Sequence, residues 1–109
     1  MSNSQSNQAD PLERHKSEHR ALAVLRMLER QPSYASNGEI VCRYFDLVGL
    51  GCTRAQAHEC LDMLERSGLI EMSKADRLTV IRLTAKGEEA GKGLVVVEGV
   101  LRPGVDCPY

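Results

Sequence analysis

The sequence predicts an α+β domain of three amphipathic helices, a β-hairpin and a short fourth helix. Three observations carry this prediction. Apolar residues recur at helical spacing over three separate stretches, and each stretch opens on a capping residue. A tight glycine-bearing turn, "GLGC" at 49–52, joins the second stretch to the third. After Gly68, two segments rich in β-formers flank the polar "SKADR". Three helices with a tight turn between the last two, followed by a hairpin, make the winged helix-turn-helix arrangement.

Residues 1–9 are mostly Ser, Asn and Gln, with almost nothing to bury, and are expected to be disordered. The winged-helix domain is expected over 10–92. Its first helix opens at "DPLE": Asp10 can cap, Pro11 suits the first helical position, and Glu13 stands three residues after the cap. Ala21, Val24, Leu25 and Leu28 form its apolar stripe, with Leu22 beside them, and "QPSYAS" ends it near Arg30.

The second helix starts at "SNGE", where Ser36 and Glu39 have capping-box spacing. Val41, Tyr44, Phe45 and Val48 are its stripe. Gly49 can take the left-handed position that closes it. The third helix repeats the capping box with Thr53 and Gln56. Ala57, Cys60, Leu61 and Leu64 face inward, and Gly68 stops it.

"LIEM" then reads as a short strand, "SKADR" as a polar turn and "LTVIRLT" as the second strand. "TAKGEEAG" reads as a short helix capped by Thr84 and weakened by Gly87. The tail, 93–109, mixes glycine, proline and an apolar run, and is expected to be extended or partly ordered. With the first helix it is the expected dimer surface, because Met27, Val95, Val96 and Val97 have no place in the predicted core.

Composition narrows the function classes. A chain of 109 residues holds one small domain, which buries roughly 60–70% of its unfolded surface. With no Trp, one Phe and three Tyr, the core must be aliphatic. Fourteen Lys+Arg against fifteen Asp+Glu leave a net charge of −1, so no strong overall field draws the chain to nucleic acid or membrane. The first ten residues lack the basic and apolar regions of a signal peptide, and no apolar run approaches the roughly 20 residues of a membrane span. A cytoplasmic protein is expected.

Cys42, Cys52, Cys60 and Cys107 form no C-x-x-C, and Cys60 lies on an apolar stripe, where a thiol acts as a small hydrophobe. His15 and His19 share a helical face at metal-binding spacing, but no third ligand lies near them in sequence, so solvated polar residues or a dimer contact are expected. There is no phosphate loop, nucleophile elbow or catalytic carboxylate frame. An enzyme is the least supported class, and neither cofactor nor metal is expected.

The outward face of the third helix holds the candidate site. Thr53 to Arg66 carries the bases Arg54 and Arg66 and the acids Glu59, Asp62 and Glu65. Base reading uses the first turns of such a helix, and there Arg54 can pair with guanine, Gln56 with adenine, and Glu59 with a cytosine amino group. His58 flanks them, and the helix start at Thr53 adds positive partial charge. Asp62 and Arg66, four apart, can neutralise each other. Lys74 and Arg77 in the "SKADR" turn are candidate phosphate contacts. The alternative is a solvated face, or one that meets a protein partner.

"CLDMLERSGLIEMSKADRLTVIRLTAKGEEAGKG" resembles bacterial regulators of the ArsR, MarR and PadR type, with a leucine-rich reading helix, "GLI", a wing and then "LT..G". The sharper resemblance is to small winged-helix proteins of Mu-like phages and prophages, often labelled ArsR-like. "HRALAVLRMLER" and "GVLRP" also fit these, so that the likeness runs over roughly residues 15–103. The resemblance implies a sequence-specific DNA-binding transcriptional regulator, a homodimer that places its reading helices in successive major grooves of double-stranded DNA. ArsR-type metal sensors often carry cysteines one residue apart. Here Cys42 and Cys52 are separated by residues 43–51, and that pattern is missing.

Overall fold

The computed structural model describes residues 10–109, so the expectation of disorder over 1–9 lies outside the described residues. The elements are α1 (Pro11–Glu29), β1 (Ala35–Asn37), α2 (Gly38–Leu47), α3 (Arg54–Arg66), β2 (Ile70–Ala75), β3 (Leu78–Leu83) and α4 (Ala85–Gly91). This is the predicted order, with one strand added ahead of α2.

Asp10 caps α1, its carboxylate accepting from the Leu12 N–H at 3.1 Å. The predicted stripe is buried, but so is nearly every other side chain from Arg20 to Leu28. The cause is position: α2, α3, α4 and β3 all pack on α1. A helix covered on several sides buries more than one face. Met27, expected to be left over for a partner, is only 4% exposed and belongs to the core.

The entry to α2 differs from expectation. Asn37 is the cap, its side chain accepting from the Ile40 N–H at 3.0 Å. Ser36 is one residue too early, because it is held opposite Ile81 in the pairing of β1 with β3. The chain reaches β1 through Ser33 and Tyr34, both left-handed at φ 60° and 58°. Such backbone costs on the order of 1 kcal/mol or more per residue. Arg82, donating to the Ser33 carbonyl at 3.2 Å, helps to hold it. Three residues are too few to show strand alternation, so β1 left no pattern in the sequence.

The third helix forms as predicted. Thr53 accepts from the Gln56 N–H and the Gln56 side chain accepts from the Thr53 N–H, both at 3.0 Å. Ala57, Cys60, Leu61 and Leu64 are buried against α1 and the sheet. The sheet order is β1-β3-β2, all antiparallel.

The hairpin is longer than expected. Ser73, Lys74 and Ala75 pair with Val80, Thr79 and Leu78, leaving a two-residue turn at Asp76–Arg77 with Asp76 left-handed at φ 61°. Once a hairpin register is set, the ladder recruits polar residues that lack strand propensity of their own.

α4 begins at Thr84, which accepts from the Gly87 N–H and donates to the Gly68 carbonyl at 2.7 Å. Gly87 was expected only to weaken this helix. Its position requires glycine, since a Cβ there would lie 2.0 Å from the Leu69 carbonyl oxygen.

Residues 93–109 form turns that fold back on the same chain. The Leu101 N–H donates to the Glu18 carbonyl at 3.2 Å, Arg26 donates to the Tyr109 carbonyl at 3.3 Å, and Gly99 rests on Met63 of α3. Val95 and Val97 pack against the core, while Leu94 and Val96 remain exposed. Of the apolar residues expected to be left for a dimer, only Val96 is free. No described helix is long and apolar enough to cross a membrane.

Candidate nucleic-acid interface

The helix-turn-helix is fastened from below. Arg20 is only 2% exposed; its Nε donates to the Leu50 carbonyl at 3.0 Å and its Nη1 to Glu13 at 3.0 Å. The first bond ties the turn between α2 and α3 to the central helix. Glu13 also accepts from the Gln56 side chain at 3.4 Å, linking the start of α3 to the same point. A buried charge is tolerated when every donor has a partner, and among the described residues no buried side-chain polar atom lacks one. Arg20 precedes Val24 and Met27 by four and seven residues, so it lies on the buried stripe; that spacing was the signal that could have found it.

Above this base, α3 and the wing enclose a groove of about 550 Å³. Ile81 and Thr79 lie on the inner face of β3, and Lys74 stands opposite Thr79. The core-facing row of the sheet therefore continues outward into the wing and turns Lys74 toward α3. Arg54, His58, Glu59, Lys74 and Arg77 all line the groove. Sequence reasoning picked these five separately, and the fold brings them to one place.

Two other candidates have partners within the chain. Both ends of the Gln56 amide are engaged, the oxygen by the Thr53 N–H and the nitrogen by Glu13. In this state Gln56 serves the capping box, and one N–H of its amide remains without a partner among the described residues. The Thr53 hydroxyl serves as the cap and lies outside the groove lining.

The acids of α3 also have specific neighbours. Glu65 accepts from the Met72 N–H at 3.1 Å, fixing β2 to the helix. Asp62 lies 3.8 Å from His58 and does not form the expected pair with Arg66. On the outward face Glu59 alone is left as an acid with no partner among the described residues.

Arg54 is the first residue of α3, and both of its terminal nitrogens donate to Glu39 of α2, each at 2.8 Å. The guanidinium holds the Glu39 carboxyl below the usual carboxylate range, first by hydrogen bonding and then by charge, with a smaller contribution from Arg43. Sequence reasoning missed Glu39, because no local pattern links residues fifteen apart on two helices. Lys74 and Arg77 form no ion pair among the described residues and are exposed.

The remaining thiols and histidines offer no second site. Burial pushes the Cys60 thiol up to about 12, which keeps it protonated and inert. Burial also raises Cys52. His19 lies 2.7 Å from the Tyr109 hydroxyl, and His15 pairs with Glu18 at 3.8 Å. Among the described residues no three His, Cys, Asp or Glu are grouped to hold a metal.

No protein-family model matches the sequence, and no curated protein does. Solved structures do. RosR of H. salinarum matches at 24% identity and a TM-score of 0.58, over 66% of this chain and 64% of that one. A complex structure of the same protein, hsRosR-S1, matches at 25% identity and a TM-score of 0.53, over 62% and 59%. The fold is a winged helix. The match spans less than two thirds of the RosR chains, and what it shows is the arrangement of helices and wing.

Proposed function

We propose that this chain is a sequence-specific DNA-binding transcriptional regulator of the cytoplasm, of phage or prophage type, acting on double-stranded DNA as a homodimer. The observation that supports this most is the groove between α3 and the wing, where Arg54, His58, Lys74 and Arg77 stand together on a winged-helix frame. In such a frame the reading helix enters the major groove. Lys74 and Arg77 supply phosphate contacts from the wing, and Arg54, His58 and Glu59 face base edges. The likeness to RosR supports the frame, and the resemblance to phage proteins supports the setting.

The outward face of α3 gives little attraction to phosphate, because Arg54 is paired with Glu39 and Glu59 is unpartnered. Non-specific affinity therefore rests on the wing. Each phosphate neutralised contributes about 0.9 to the log–log salt slope, so a dimer with two wing contacts per subunit gives a slope of roughly −4. The same unpartnered acid favours a second reading, a winged-helix module that meets a basic protein surface and no DNA.

Titration of the purified protein against labelled promoter fragments and random duplexes, at low and moderate salt, separates the two. Lys74→Ala with Arg77→Ala should weaken binding to all sequences alike and flatten the slope. A folded protein that binds no duplex at low salt would leave the protein-partner module in front.

A further inference from the structure

Arg54 and Glu39 are both exposed, at 74% and 55% of their side chains, and an ion pair in that setting contributes little to stability. Its geometry is nonetheless specific. Nη1 donates to one carboxylate oxygen and Nη2 to the other, so the pair is bidentate and end-on. Glu39 occupies the second position of α2 and Arg54 the first of α3, so each anchor is fixed by a capped helix start. A long arginine that would otherwise sample many rotamers is held in one place at the mouth of the groove.

The end-on pairing uses the far edge of the guanidinium. The side edge, Nε–H with the second hydrogen of its neighbouring Nη, has no partner among the described residues. That edge is a planar two-donor fork, which matches the paired acceptors O6 and N7 of guanine. It also matches a phosphate, and charge decides between them. Glu39 pairs on one side and Glu59 stands unpartnered in the same groove. Two carboxylates beside the guanidinium repel a phosphate, which is charged, much more than a guanine edge, which is neutral.

We propose that Glu39 is a positioning residue that directs Arg54 to a guanine in the major groove and keeps it off the phosphate backbone. The proposal rests on the DNA-binding function above and adds to it a named base and the residue that enforces its reading. In this geometry the guanidinium holds the Glu39 carboxyl below the usual carboxylate range.

The test compares the wild-type protein with Glu39→Gln, Arg54→Lys and Arg54→Gln. The probes are a duplex enriched by the wild-type protein from a random-sequence pool and a scrambled duplex of the same composition. With the clamp removed in Glu39→Gln, Arg54 is free to reach a phosphate. Binding to the scrambled duplex should strengthen, and the salt slope should steepen by about 0.9 per subunit. Discrimination between the duplexes should fall about tenfold, the worth of one good bidentate base contact.

Arg54→Lys keeps the charge but loses the fork, and Arg54→Gln loses both; each should lose discrimination, while non-specific affinity, which rests on the wing, should stay near the wild-type level. A mutant merely loosened in structure would show a lower melting temperature and would not gain affinity for the scrambled duplex. Wild-type discrimination with an unchanged slope and selectivity in Glu39→Gln would overturn the proposal and leave the DNA-binding function standing. Absence of all wild-type DNA binding would overturn both. A carbon-13 titration of free protein needs no DNA: Glu39 should titrate below the ordinary carboxylate range and move back up in Arg54→Gln. An ordinary value in the wild type would show that the clamp is absent in solution and would also overturn it.

Discussion

The inward side of α3 carries Ala57, Cys60, Leu61 and Leu64, all buried, whereas its outward side carries Arg54, His58 and Glu59, all open to solvent. On the inward side each residue does what its spacing requires. On the outward side a residue's role depends on which neighbour claims it first. Gln56 is claimed by Thr53 and Glu13, Glu65 by the Met72 N–H, and Arg54 by Glu39. Burial is non-directional and depends on how much apolar surface a face presents. A polar contact depends on where another element places its partner.

Substitutions can break this contrast, and the largest effects belong to the inward side. Leu64 is fully buried between α3 and the rest of the core, so Leu64→Ala should cost about 2–5 kcal/mol in urea unfolding. An unchanged unfolding midpoint would mean that the inward side is not the anchor.

Gly87→Ala tests the neighbouring junction, where α4 meets the strand following α3. The added Cβ would meet the Leu69 carbonyl oxygen at 2.0 Å and Leu83 Cδ1 at 2.8 Å. In an open helix this exchange stabilises by roughly 0.5–1 kcal/mol. Here it should destabilise by about 3 kcal/mol, because backbone has to move. The sign alone decides the matter, and thermal melting reads it.

Gln56→Ala sharpens the contrast at its boundary. If Gln56 serves the capping box, the loss should appear as about 1 kcal/mol of stability, with discrimination between DNA sites unchanged. Lost discrimination at unchanged stability would return Gln56 to the base-reading role that its position on the helix first suggested.

The smallest effect on stability is expected at the wing. Lys74→Ala with Arg77→Ala should move the unfolding free energy by no more than about 0.5 kcal/mol, since both side chains are exposed and unpaired. The same double substitution should still flatten the salt dependence of DNA binding, measured on the same sample.

The sequence by itself determined the helices, their caps at Asp10, Thr53 and Thr84, the buried row of α3 and the left-handed glycines at 49 and 68. These follow from local rules, namely the period of the helix, the hydrogen bond of a cap to its own first turn, and the freedom of glycine at positive φ. It also pointed to five of the groove residues: Arg54, His58 and Glu59 because an outward helix face can be read from the inward one, and Lys74 and Arg77 because a polar turn stands out between two apolar strands.

Only the tertiary structure decided the rest. Asn37 caps α2 in place of Ser36 because β3 holds Ser36 in a ladder from 45 residues away. Met27 is core and not interface because four elements surround α1. Gly87 is required because a carbonyl from another segment occupies the space of its Cβ. Arg54 is clamped by Glu39, and Arg20 ties down the turn before α3, through hydrogen bonds between residues fifteen and thirty apart. Each of these depends on a partner distant in the chain; helical spacing can mark Arg20 as buried, but which distant atom a residue meets leaves no periodic trace in the sequence.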